Sequence, residues 1–260
     1  MIRSLWIAKT GMEGQQAALD AISNNLANVA TNGYKRGGVA FEDLMYQNLR
    51  SAGAASSEQS QLPTGLQVGL GVRAAATTRN FSQGALQNTG NNLDIAVKGD
   101  GFFQITLPDG TTGYTRDGGF QVDAGGQIVT NAGYVLQPGI TIPASATAVT
   151  IAADGTVSAT LAGQTAPQSL GTIQLASFIN PAGLDPRGGN IFGETAASGT
   201  PAAAAPGASG HGTLLQGFVE GSNVNVVEEL VSMIATQRAY ELNSKAIQTS
   251  DQMLAKLGQL

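Results

Sequence analysis

The residues able to do chemistry are few and poorly placed for it. The chain has one histidine and no cysteine, which excludes a thiolate nucleophile, a disulfide and a cysteine metal site. His211 lies in Ser209-Gly-His-Gly212, inside a low-complexity stretch, and reads as an exposed loop histidine rather than a general base. Asp109, Asp117, Asp123 and Asp154 precede or adjoin glycine, so turn geometry accounts for them without a metal. No repeated acidic loop suggests calcium. Gly69-Leu-Gly71 and Gly99-Asp-Gly101 lack the lysine and following helix of a phosphate loop or dinucleotide fingerprint and read as turns or bulges. No Gly-x-Ser-x-Gly elbow is present. A carboxylate pair distant in sequence stays open, but no pair is nominated. The sequence therefore offers no catalytic, metal or cofactor residue, and its positive features are those of interaction.

Composition narrows the class further. The 260 residues carry a net charge of −5, which gives no electrostatic footprint for nucleic acid. Charged residues are 12% of the chain, about half the usual share. With 35 glycines, turns must be frequent. No stretch reaches the ~18 apolar residues of a membrane span. The apolar start is broken by Lys9 and is not a cleaved signal. The expectation is a chain that is cytoplasmic or exported without a cleaved signal peptide.

The elements that carry these residues differ along the chain. Near the N-terminus, Leu5, Met12, Leu19 and Leu26 recur every seven residues, with Ala8, Gln15, Ile22 and Val29 three positions on. This is an a/d seam with one polar interruption. The pattern stops at Thr31-Asn32-Gly33, giving a helix ~39 Å long. At the other end Val226, Met233, Tyr240, Ile247 and Leu254 repeat the spacing. Of their companions only Leu230 is apolar, whereas Gln237, Ser244 and Asp251 are polar. Asn225 with Glu228 reads as a capping box, opening a helix of ~48 Å to Leu257. Two such seams predict helices that pack on each other, on copies of themselves, or both. Without partners in the monomer, the termini are expected to be disordered.

The middle reads as short antiparallel strands with turns about every ten residues. Leu93, Ile95 and Val97 alternate as a half-buried strand, and Pro108-Asp-Gly110 and Asp154-Gly155 mark turns. The predicted class is α+β: long terminal helices in a coiled-coil-like bundle around a β-rich middle. The expected organisation is a discontinuous helical domain (1–33 with 222–260), an extended or hairpin connector (34–90), and a β-rich outer domain (91–221). Residues 195–212, rich in Ala, Gly, Pro and Ser, are expected to form a flexible loop.

Two blocks then become specific. Ser23-Asn-Asn-Leu-Ala-Asn-Val-Ala-Thr-Asn-Gly-Tyr-Lys-Arg36 resembles the N-terminal signature of bacterial flagellar rod and hook proteins, which reads near Asn-Asn-Leu-Ala-Asn-x-x-Thr-x-Gly-Tyr/Phe-Lys. Glu220-Gly-Ser-Asn-Val-Asn225 and the following residues to Glu241 resemble the family's C-terminal block. Gly99-Asp-Gly-Phe-Phe103 and Tyr114-Thr-Arg-Asp-Gly-Gly-Phe120 resemble hairpins of its β domain. Within the family the length, and the stretch 46–73 containing Tyr46, Gln59, Leu62, Pro63, Gly65 and Arg73, resemble the members of the straight distal rod. The stretch 195–212 departs from the family by being richer in Ala and Pro.

The resemblance implies a structural subunit, not an enzyme, with no cofactor and no small-molecule substrate. It implies export through the flagellar type III apparatus and assembly under a rod cap into a homopolymer. The resulting rod would cross the periplasm, meet proximal rod proteins and the hook or hook–rod junction protein, and turn within the P- and L-ring bushing. Terminal helices would line the channel and the β domain would form the wall. The expected interface residues are Leu5, Met12, Leu19, Ile22, Leu26 and Val29 on one seam and Val226, Leu230, Met233, Tyr240, Ile247 and Leu254 on the other. The signature residues are Asn24, Asn25, Leu26, Asn28, Asn32, Gly33, Tyr34 and Lys35. Its asparagines either bond between subunits or end the helix, and the sequence favours neither. The stretch 46–73 is the expected stiffening segment. The alternatives are another rod or hook protein of the family and a secreted β-rich adhesin or binding module.

Overall fold

The computed structural model describes residues 2–52, 55–57, 60–61, 63–164 and 166–257. It divides into two compact units, one of residues 1–27, 37–79 and 225–260 and one of residues 28–36 and 80–224.

The first unit holds two helices, α1 (Ile2–Ala27) and α2 (Val226–Leu257). The Asn225 side chain accepts the Val227 N–H at 3.1 Å and its carbonyl accepts that of Glu229, which caps α2. Glu228 is exposed and makes no reciprocal bond among the described residues. The helices pack side by side. Gly11 lies against Asn243 and Asn25 bonds Glu229, so they run antiparallel. Neither helix is apolar enough to cross a membrane.

The described residues of 37–79 pair as an antiparallel hairpin. Gly37–Asp43 pairs with Val72–Arg79, Gln47–Arg50 with Leu66–Val68, and Ala55–Ser57 with Ser60–Gln61. Its base lies on α1, where Gly14 admits Phe41 and Val72. Farther out, Gln47–Arg50 is exposed along its whole length. Gly65 permits a close crossing there, because a Cβ would stand 2.7 Å from the Arg50 carbonyl.

The second unit is built on a nine-stranded sheet whose paired strands are antiparallel. Its strand Phe102–Thr106 shows how the core forms. Alternate side chains point to opposite faces, and both faces are covered. Phe103 and Ile105 enter a large aliphatic core with Phe120, Leu136 and Val157. Phe102 enters a second cluster with Tyr114, Phe178 and Phe192, whose rings meet edge-to-face at centroid separations of 4.8–6.1 Å. Ile95–Lys98 pairs with Thr213–Gln216, and three of its four residues are fully buried. It is therefore not the half-buried strand that alternation predicts.

Two expectations for residues 195–212 change. His211 is 6% exposed, with Nδ1 3.0 Å from the Ala208 carbonyl and Nε2 2.9 Å from that of Ala202. Ala202–Ala204 is a strand paired with Leu175–Ser177, and the Ser198 hydroxyl donates to the Thr195 carbonyl. Composition marks this stretch as a loop because alanine and serine carry little strand signal. Backbone pairing to a buried neighbour supplies the order that side chains do not.

Candidate assembly surfaces

The two seams take different positions in a single chain. On α1, Leu5, Met12, Leu19, Leu26 and Val29, which follows the helix, are half-buried, and Ile22 is 9% exposed. On α2, Met233 and Ile247 are half-buried, while Val226, Leu230, Tyr240 and Leu254 are 36–43% exposed. The α2 side chains that lose most water are Glu229, Ser232, Met233, Thr236, Ala239, Asn243, Ser244, Ile247 and Ser250. This stripe is mostly small or polar. Outside it stand Val227 at 69%, Val231 at 62%, Ile234 at 58% and Leu242 at 69% exposed. Sequence reasoning missed this outward row because a seven-residue count selects one stripe, and α2 carries apolar side chains on several. The spacing of Val227, Val231 and Ile234 was the available signal.

The asparagine signature has two jobs. Asn25 is 2% exposed. Its side chain accepts the Gly37 N–H and donates to the Gly37 carbonyl, both at 2.8 Å, and its amide also reaches Glu229 at 3.3 Å. It thus stands in for a strand partner of Gly37. Asn28 accepts the Thr31 hydroxyl, and the Asn32 carbonyl accepts Asn190 Nδ2. Asn24 is exposed. Gly33 takes φ +68°, and a Cβ there would stand 2.6 Å from the Asp117 amide, so only glycine fits. Tyr34 is buried.

Lys35 leads to a feature that the sequence does not reveal. Its ammonium donates to Glu220 Oε1 at 2.6 Å and to the Ser82 carbonyl at 2.9 Å. Arg116 donates to Glu220 Oε2 at 3.2 Å and to the Gly99 carbonyl at 2.8 Å, with its guanidinium over the Phe102 ring. The three side chains are at most 3% exposed. Burial pushes both Lys35 and Arg116 below their ordinary pKa values, against the pull of Glu220. Their partners lie far apart in sequence, so no spacing signal exists.

Of the stretch 46–73, Tyr46 is 55% exposed, Pro63 and Gly65 are exposed in and beside a bend, and Arg73 pairs with Glu42 at 3.0 Å on the surface. Gln59 and Leu62 lie outside the described residues. Among the described residues no cluster of His, Asp and Glu could hold a metal ion.

A long helix carrying an exposed apolar row and a β unit with its own core suit a structural subunit, and comparison gives its class. Residues 5–35 match the profile "Flagella basal body rod protein", residues 96–159 "Flagellar hook protein FlgE/F/G D1 domain", and residues 215–260 "Flagellar basal body rod FlgEFG protein C-terminal". The chain is 56% identical over 260 residues to the flagellar basal-body rod protein FlgG of Buchnera aphidicola from Schizaphis graminum, covering 100% of both. It is 49% identical over 256 residues to FlgG of Borreliella burgdorferi, covering 98% of this chain and 97% of that one. The flagellar hook protein FlgE of Helicobacter mustelae matches at 46% over only 138 residues, 30% of its length. The chain belongs to the FlgG family of flagellar basal-body rod proteins. Its place is the flagellar basal body and its role is structural.

Proposed function

We propose that this chain is the repeating subunit of the distal rod, a hollow, rigid helical shaft that carries torque to the hook and encloses part of the export channel. The observation that carries this reading is the exposed row Val227, Val231 and Ile234 on α2. A free subunit gains nothing from these side chains in water, whereas a head-to-tail polymer buries them in every copy. The small polar stripe serves the contact within the chain, leaving the large apolar residues for contacts between chains. Both seams named from the sequence belong to that assembly surface. The helices would form a coiled-coil-like inner layer with those of other copies, and the β unit the outer wall. The stretch 46–73 would stiffen the shaft. Export by the type III apparatus, capping, and contacts with proximal rod, hook or junction proteins and the P- and L-rings complete the proposal.

The test is electron microscopy of basal bodies from a strain lacking this chain. A rod that stops short without a hook is expected. A complete rod bearing a hook would overturn the reading, and a complete rod lacking only the hook would assign the chain to the hook instead.

A further inference from the structure

The buried cluster of Lys35, Glu220 and Arg116 sits where the chain passes into and out of the β unit. Lys35 follows the turn after α1, and Glu220 precedes α2 by six positions. Around them the two segments are cross-tied. The Gly33 N–H donates to the Glu220 carbonyl at 2.7 Å. The Arg36 N–H donates to Asn223 Oδ1 at 2.7 Å, and Asn223 Nδ2 donates to the carbonyls of Asn80 and Ser82. Glu220 Oε1 also accepts the Gly84 N–H at 2.9 Å.

Energetics argue that stability alone does not explain this arrangement. Inside the cluster one buried anion faces two buried cations, with the nearby Asp100 carboxylate attracting both, and among the described residues Arg116 Nε has no hydrogen-bond partner. Desolvating three charges consumes most of the attraction between them, and apolar replacements of similar volume often match or exceed such clusters in stability. What apolar packing does not supply is direction. Charged hydrogen bonds with fixed donors and acceptors specify a single arrangement of the groups they join.

We infer that the Lys35–Glu220–Arg116 cluster is a register clasp, which holds the segment leaving α1 and the segment entering α2 at one fixed separation within the β unit. Its three members are positioning residues. The inference stands on contacts inside that unit and does not depend on the rod assignment.

The absence of cysteine allows a direct test. Spin labels at Ala30→Cys and Ser222→Cys in the full chain report the separation of the two segments by double electron–electron resonance. Glu220→Gln leaves two buried cations without their anion, so Tm should fall by roughly 10 °C. The neutral triple variant Lys35→Met, Arg116→Met, Glu220→Gln should recover most of that loss, while its distance distribution broadens about twofold relative to wild type. A triple variant with a distribution as narrow as wild type would overturn the inference. So would one as unstable as Glu220→Gln, since the cluster would then serve stability. Hydrogen exchange on the unaltered chain tests the same point without any variant. The amides of Gly33, Arg36 and Gly84 should exchange as slowly as that of Ile105, and fast exchange at those three would also overturn the inference.

Discussion

The two units solve the same problem in opposite ways. Among the described residues, every buried hydrophobic side chain except Ala8 and Ile22 belongs to the β unit. Every exposed large hydrophobic except Val122 and Ile179 belongs to the helical unit. The β unit closes both faces of its central strand and satisfies its own apolar surface. On α2 the helical unit spends its intrachain contact mostly on small or polar residues and leaves valine, isoleucine and leucine in water, and on α1 it leaves Trp6 there. A unit that buries its own apolar surface and one that leaves much of it in water should respond differently to the same kind of substitution.

The sharpest way to break that contrast is the double variant Val231→Asp, Ile234→Asp. Both positions are more than half exposed, so the monomer should keep its stability to within about 0.5 kcal/mol. Rod assembly should nevertheless be abolished, read as loss of swimming and of hook-bearing basal bodies. Unimpaired swimming would remove the outward row from the assembly surface. The reverse case is Phe103→Ala. Phe103 is fully buried, and its truncation should cost the β unit about 3–5 kcal/mol, measured by denaturant titration. Trp6, the one tryptophan, lies 53% exposed on α1, so its fluorescence follows the helical unit separately from the far-ultraviolet signal of the strands.

The contrast also explains what the sequence reveals. The helices, the antiparallel β middle and the turn at Asp154-Gly155 follow from periodicity and glycine placement, because these signals are local. The family follows from motifs at both ends. The cluster around Glu220 is illegible, because Lys35, Arg116 and Glu220 meet only after the strands pair. His211 misleads for a related reason, since composition alone marks 195–212 as a loop while the strand that orders it comes from residues 175–177. The α2 seam is half legible. Spacing finds a stripe, but which stripe faces the same chain depends on a small-residue contact with Gly11 that no apolar count detects.

A smaller effect is expected at Asn25. Replacing it with alanine removes both bonds to the half-buried Gly37 backbone and leaves its donor and acceptor without that partner, a cost of about 1–3 kcal/mol. Unlike Phe103→Ala, this loss should appear in the Trp6 transition, because Asn25 and Gly37 both belong to the helical unit. Loss confined to the strand signal would mean that Asn25 serves the β unit instead.

The smallest effect is a pH dependence belonging to the β unit alone. Tyr114 is buried in the aromatic cluster, and burial, reinforced by the nearby Glu194 carboxylate, pushes its phenol up to about 12. In the unfolded chain a tyrosine ionises near pH 10. Between these values the folded protein keeps a proton that the unfolded chain has lost, so folding stability must fall as pH rises through that window. Below pH 10 both states hold the proton and the contribution is constant. Tyr114→Phe removes the ionisable group while keeping the ring that meets Phe178 at 4.8 Å. The variant should therefore lose less stability than wild type over that alkaline range in parallel denaturation series. If the two series fall together, Tyr114 ionises alike in both states, and the aromatic cluster is open to water.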